Sequence, residues 1–199
     1  MPVTPQGRQL SLFGVEATAS APSDLEGLLA GPGQVTRMGG TARVSVVVSE
    51  RWRVMALLEE FRSRGLAAGC EPATAEGHFG VRTAYASALA PLGVRWLRGA
   101  LKAVPKGFTL DGQRLRLWAA AAGTVENARA YGLRLGSGDG EAAWKIVGKA
   151  LAAAGLPAVL LGQGAGGPAY RIAGRRRISR LVELVGEAPG GAPADSWPQ

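Results

Sequence analysis

One cysteine and one histidine occur in 199 residues. A single thiol, Cys70, excludes an intrachain disulfide and a cysteine-based zinc site, and His78 alone leaves no histidine cluster for a metal. Both sit in one stretch, so a catalytic Cys–His pair is one reading. The simpler reading is a small core or loop residue and a polar loop tip. Long apolar runs are absent too, and nothing approaches the roughly 20 residues that cross a bilayer as a helix. The first residues hold Pro2, Pro5 and Gly7 and no apolar stretch of signal-peptide length, so the expectation is a cytoplasmic protein. Walker loops, dinucleotide fingerprints and nucleophile elbows are missing. The Gly-rich stretch Gly162 to Gly167 precedes no helix and makes a poor phosphate cradle. No cofactor, metal or small-molecule substrate is expected.

Acidic residues are also scarce. Asp and Glu number 15 against 23 Lys and Arg, a formal net charge of +8. A basic chain of this size points to a polyanion, nucleic acid before an anionic membrane. The competing explanation is charge used only for solubility. What is abundant is apolar: 47% of residues are hydrophobic, enough for a packed core. The 30 glycines and 12 prolines gather at loops and at the two ends.

Residues 1–22 read as a flexible arm with one apolar island, Leu10 to Val15, and residues 188–199 as a disordered tail. Between them one pattern occurs twice. In residues 23–103 a short helix, Asp24 to Ala30, ends in Gly31-Pro32-Gly33. Strands Gln34–Met38 and Thr41–Val48 follow, turned by Gly39-Gly40. Ser49 caps a helix from Glu50 to about Arg64, and Gly65 stops it. Strands near Cys70–Ala75 and Phe79–Tyr85 precede a helix from about Ala88 to Ala103. Residues 104–112 link the halves. In residues 113–187 a helix, Arg114 to Ala122, ends at Gly123. A strand at Ala130–Leu135, a helix at Glu141–Ala154, strands at Ala158–Leu161 and Ala169–Ile172, and a helix at Arg175–Glu187 complete the order. The first strand of this half is the hardest to place. The expected class is α+β with antiparallel hairpins, two αββαββα repeats.

The two opening helices read Leu25-Glu26-Gly27-Leu28-Leu29-Ala30-Gly31-Pro32-Gly33 and Leu115-Arg116-Leu117-Trp118-Ala119-Ala120-Ala121-Ala122-Gly123. Both resemble the LAGLIDADG motif of homing endonucleases, and Leu115 to Gly186 looks in particular like the LAGLIDADG-like part of the WhiA regulators. The resemblance implies two helices packed side by side at a pseudo-twofold axis, with Gly27, Gly31 and Ala119 to Ala122 permitting close approach. A plain helix pair in a hydrophobic core is the alternative. It further implies an antiparallel saddle lying on duplex DNA. The family's nucleases carry an acid at the eighth motif position, which here is Pro32 and Ala122. Neither can ligate a hard cation. Asp24, Glu26 and Glu126 lie near the motifs but on the wrong turn or side. The expectation is a scaffold without cleavage chemistry, not an enzyme.

Arg43, Arg82, Arg134 and Arg171 each sit mid-strand between apolar neighbours, the alternation of a half-exposed strand. As a DNA-facing set they could pair with phosphates and reach base edges, with Arg37 and Arg129 at the rim. The alternative is a sheet face kept soluble. Arg175-Arg176-Arg177, with Arg180, opens a helix, where cations oppose the helix dipole, so phosphate contact is the expected compensation. Arg95, Arg98, Lys102 and Lys106 read as ordinary surface charge.

Ahead of the folded body, Gln9-Leu10-Ser11-Leu12-Phe13 resembles the pentapeptide by which bacterial polymerases and repair proteins dock on the β sliding clamp. The resemblance implies Leu12 and Phe13 in an apolar pocket, Leu10 buried beside it and Gln9 hydrogen-bonded at a second subsite. An apolar strand packing back on the body is the alternative. Together these features predict a clamp-tethered, nucleoid-associated DNA-binding factor of replication or repair, with a WhiA-like transcription regulator as the second reading.

Overall fold

The computed structural model describes residues 18–74, 77–162 and 167–199. A 3-10 turn at Pro22–Leu25 leads into α1 (Glu26–Ala30), then β1 (Gln34–Met38), β2 (Thr41–Val48), α2 (Arg51–Ser63), β3 (Ala68–Pro72) and β4 (Phe79–Thr83). A second 3-10 turn, Ser87–Leu89, opens α3 (Ala90–Trp96), and β5 (Leu97–Arg98) and β6 (Leu101–Lys102) form a short hairpin. The second half runs α4 (Gly112–Ala122), β7 (Gly123–Asn127), β8 (Ala130–Arg134), α5 (Glu141–Ala153), β9 (Val159–Leu161), β10 (Ala169–Ala173) and α6 (Arg175–Val185).

Each half builds one antiparallel sheet of the same topology, β1-β2-β4-β3 and β7-β8-β10-β9. Both are α+β, and the expected repeat is there. Alternation explains the layering. On β2, Ala42, Val44, Val46 and Val48 are buried while the residues between them are not. One face of each sheet therefore lies under helices and the other is left open.

The helices α1 and α4 hold the halves together. A Cβ added at Gly27 would fall 1.9 Å from the Arg114 carbonyl oxygen, and one at Gly31 would fall 2.5 Å from Trp118 Nε1. The contact advances four residues along each helix, so the two run the same way with their C-terminal feet side by side. A single core draws on both halves, with Leu28, Leu29, Leu57 and Phe61 joining Leu115, Leu117, Trp118, Leu133 and Leu181.

Several expectations need correction, and the N-cap of α2 is Glu50, not Ser49. The helix expected to reach Ala103 stops at Trp96, because Gly99 takes φ +63° and turns the chain into the β5–β6 hairpin. That hairpin carries Lys102 inward, so Lys102 is not surface charge. The helix expected from Arg114 starts at Gly112, where the Asp111 carboxylate accepts from the Arg114 amide at 2.9 Å. The strand that was hardest to place is β7, and it follows the foot of α4 without a loop. The tail is not loose. Trp197 is 3% exposed, its indole N–H donates to the Gly186 carbonyl at 3.0 Å, and the Arg116 guanidinium lies over its ring at 5.4 Å.

Candidate nucleic-acid interface

Strand register fixes which side chains share a face, because directly paired residues in an antiparallel ladder point the same way. Arg43 is paired with Thr36, and Arg82 with Ser45 and Gly69. Arg171 is paired with Gly132 and Val159, and Arg134 with Ala169. All four arginines stand on the open faces. They occupy β2, β4, β8 and β10, the two central strands of each sheet.

The four positions are not all equivalent. Arg82 and Arg171 match, since each faces the same point of the neighbouring central strand, Ser45 and Gly132. By the same correspondence Arg134 matches Val47, and Arg43 matches Ala130. Arg37 pairs with Ala42, which is fully buried, and its Cγ would meet a Cβ built on Gly93 at 2.6 Å. Arg37 therefore lies on the helix side of the sheet and does not belong to the open face. Arg129, Arg175, Arg176 and Arg177 are exposed. They gather where β8 and β10 meet the α6 start, and the Gly174 amide donates to the Arg129 carbonyl at 2.9 Å.

Local pairing differs among the four. Arg82 forms an ion pair with Glu71 at 2.7 Å, and Arg171 pairs with Glu126. Both pairs lie on the open face and are partly hydrated, so water can replace either partner at small cost. Arg43 stacks its guanidinium over Tyr85 at 4.9 Å. Arg134 is exposed and has no ion pair among the described residues.

The open faces meet at a central crevice of about 280 Å³, lined by Pro32, Val47, Ser49, Arg53, His78, Ala122, Arg134 and Ser137 among others. Val47 and Arg134 face it from matching positions of the two sheets. Pro32 and Ala122, the eighth positions of the two motif-like helices, also line it. The feet of both helices are closed by cations. Arg53 is 5% exposed and donates to the carbonyls of Ala119 at 3.2 Å, Ala120 at 3.1 Å and Gly123 at 2.7 Å. At the foot of α1, Lys102 Nζ donates to Leu29 at 3.1 Å and to Gly31 and Gly33 at 2.9 Å, and it pairs with Asp139 at 2.9 Å. Burial lowers the Lys102 pKa and raises that of Asp139, each against the pull of its partner.

Helix-end carbonyls left by the backbone are thus satisfied by ammonium and guanidinium groups. A divalent ion at this point would need hard oxygen ligands and would meet two fixed positive charges, so these residues do not fit one. No cluster of three or more metal-ligating side chains occurs among the described residues. Glu26 and Glu126 do not converge on the crevice. Glu26 is buried, paired with Arg95 at 2.9 Å and Arg114 at 3.2 Å, and accepts from the Trp96 indole at 3.1 Å. Glu126 stays on the open face with Arg171. Asp24 binds the buried Arg64 at 3.1 Å.

The pentapeptide Gln9 to Phe13 lies outside the described residues. Arg53 was missed as a site residue because it sits in an amphipathic helix and contacts another half of the chain. Lys102 was missed because its role depends on the β5–β6 turn.

No protein-family profile matches the sequence, and no curated protein matches it. Among solved structures, the homing endonuclease I-WcaI bound to its DNA recognition sequence aligns with a TM-score of 0.61 at 12% identity, over 92% of this chain and 89% of that one. The N-terminal LAGLIDADG domain of WhiA aligns with a TM-score of 0.57 at 14% identity, over 83% and 82%. No helix among the described residues is long and apolar enough to cross a membrane. The chain has the LAGLIDADG fold, two pseudo-symmetric halves joined through α1 and α4, with both sheets open on one face.

Proposed function

We propose that this chain binds double-stranded DNA on its open sheet faces without cutting it, and docks on the bacterial β sliding clamp through Gln9, Leu10, Ser11, Leu12 and Phe13. It would serve as a nucleoid-associated accessory factor of replication or repair in the bacterial cytoplasm. The observation that carries the DNA reading is the placement of Arg43, Arg82, Arg134 and Arg171 on open faces that meet at one crevice. The fold is also that of a nuclease solved on its DNA target, which supports duplex DNA as the ligand. The non-catalytic reading rests on Pro32 and Ala122 at the crevice and on Arg53 and Lys102 closing the helix feet.

The clamp reading rests on the pentapeptide alone. A peptide of residues 6–15 is expected to bind the clamp with a Kd of micromolar order, about −8 kcal/mol, and Leu12→Ala with Phe13→Ala to abolish it. No heat of binding in calorimetry would end that half of the proposal. With the peptide joined to a DNA-binding body, each contact raises the effective concentration of the other.

A second reading, a WhiA-like transcription regulator, is favoured by the likeness to the WhiA domain. It requires preference for particular duplex sequences. Selection from random duplexes separates the two: an enriched sequence supports the regulator, and none supports the accessory factor. Incubation of plasmid DNA with Mg²⁺ or Mn²⁺ tests the absence of cleavage, and nicking at protein-dependent rates would overturn it.

A further inference from the structure

The pseudo-twofold relation allows the two halves to be compared point by point, and their charge differs sharply. In the second half β7 leaves the foot of α4 at the crevice and β8 returns to it, so the turn at Arg129 and the end of β10 form the outer end of the sheet. There the chain enters α6 through Arg175-Arg176-Arg177, all exposed. In the first half β4 ends beside β2 in the same way. Ala86 bridges Ala42 through reciprocal hydrogen bonds of 2.9 and 3.1 Å, and the chain then enters the next helix through Ser87-Ala88-Leu89. The counterpart of three arginines is therefore a neutral stretch whose Leu89 is fully buried.

The open faces repeat this bias. On the second sheet Arg134 is unpaired among the described residues, while Arg171 is paired with Glu126 as Arg82 is with Glu71. On the first sheet Val47 takes the place of Arg134, and Arg43, which has no arginine counterpart on the second sheet, is stacked over Tyr85. Met38 and Val47 are 59% and 55% exposed on that same face. Of the remaining arginines near the first sheet, Arg51 heads α2 beside the crevice, and Arg37 is a single exposed cation at the outer end, on the helix side, where the second half has Arg129 and Arg175 to Arg177.

We infer that the protein grips duplex DNA asymmetrically, with the second half's open face and outer end, from Arg134 through Arg171 to Arg129 and Arg175–Arg177, making most of the phosphate contacts. The inference rests on the DNA-binding reading above. Phosphate neutralisation releases counterions, and each contact contributes about −0.9 to the slope of log affinity against log salt. The guanidinium cluster at the start of α6 opposes the helix dipole, so a fold that keeps it gains something elsewhere.

The test is fluorescence anisotropy on a labelled duplex of roughly 20 base pairs, about two helical turns, with the full chain over a salt series. Arg175→Ala, Arg176→Ala and Arg177→Ala together are expected to weaken binding by roughly tenfold or more and to flatten the slope by about two to three. Arg43→Ala with Arg82→Ala should cost less than about threefold and change the slope by less than about one, as expected where at most one phosphate contact is lost. A gain-of-function arm guards against misfolding: Ser87→Arg with Ala88→Arg, both exposed positions, should tighten binding and steepen the slope. Equal losses from the two halves, or no gain from the Ser87 and Ala88 variant, would overturn the asymmetry while wild-type binding keeps the DNA reading. No binding by the wild type would overturn the DNA reading itself.

Discussion

Gly27 and Gly123 show how single residues set this fold. The space beside Gly27 is filled by the Arg114 backbone, which cannot swing away as a side-chain tip could. Gly27→Ala should therefore push α1 off α4 and lower stability by about 2 kcal/mol or more, the cost of overpacking. A shift in the urea midpoint measures it, and an unchanged midpoint would show that the helices are less closely packed. At Gly123 the obstacle is the Tyr131 hydroxyl, 1.9 Å from an added Cβ. That hydroxyl is buried without a hydrogen-bond partner among the described residues, and burial holds its pKa above the usual tyrosine value. An unpaired buried hydroxyl costs free energy, so Tyr131→Phe should be neutral or stabilise by up to about 1 kcal/mol. Thermal unfolding decides this, and a clear loss of stability would mean that the hydroxyl has a partner. The small residues of the motif were legible in the sequence, because a glycine among apolar residues at a helix seam has few other uses. The Tyr131 contact was not, since it depends on where β8 passes under the foot of α4.

Short elements carry the features that the pattern of apolar residues could not disclose. Leu97 and Leu101 continue a helical spacing from α3, yet one positive-φ glycine between them makes a hairpin. The hairpin delivers Lys102 to the foot of α1, some 70 residues away in sequence. Lys102→Met should cost roughly 3 kcal/mol or more, because it strands the buried Asp139 carboxylate and three carbonyls. The pH dependence of that variant follows from Asp139. A carboxyl whose pKa is raised on folding binds more protons in the native state, so its contribution favours folding at low pH and is lost as pH rises through the folded pKa. The deficit of Lys102→Met relative to wild type should shrink as pH falls toward the ordinary carboxylate range. A deficit that grows on acidification would contradict the burial of an unpaired Asp139. The C-terminal segment follows the same logic. Its Gly- and Pro-rich composition reads as disorder, but one aromatic side chain anchors it between Gly186 and Arg116. Trp197→Ala should lower stability by about 2–4 kcal/mol, near the cost of truncating a buried aromatic. An unchanged unfolding curve would restore the reading of a loose tail.

At the scale of the whole molecule the fold depends on duplication. Two sheets of identical strand order share one core through a single helix seam, and this leaves two open faces meeting at a crevice. Periodicity and the repeat made that architecture readable, including the strands that bear Arg43, Arg82, Arg134 and Arg171. Alternation from the buried Val35 puts Arg37 on the covered side, and it was the basic side chain, not the strand period, that suggested the rim. Alternation could not show that each motif foot is closed by a cation from a distant segment. Those contacts commit Arg53 and Lys102 to backbone carbonyls at the helix feet, so in the proposed function phosphate contact falls to the arginines of the open faces.

The most direct test of that claim is binding of the intact protein to a fluorescent duplex across a salt series, beside a variant with Arg43, Arg82, Arg134 and Arg171 all changed to Ala. The wild type should bind with an affinity that falls linearly with log salt, and the variant should bind more weakly with a slope reduced by about two, mostly through loss of Arg134 and Arg171. Equal binding and equal slopes for the two proteins would contradict the assignment of the open sheet faces to DNA.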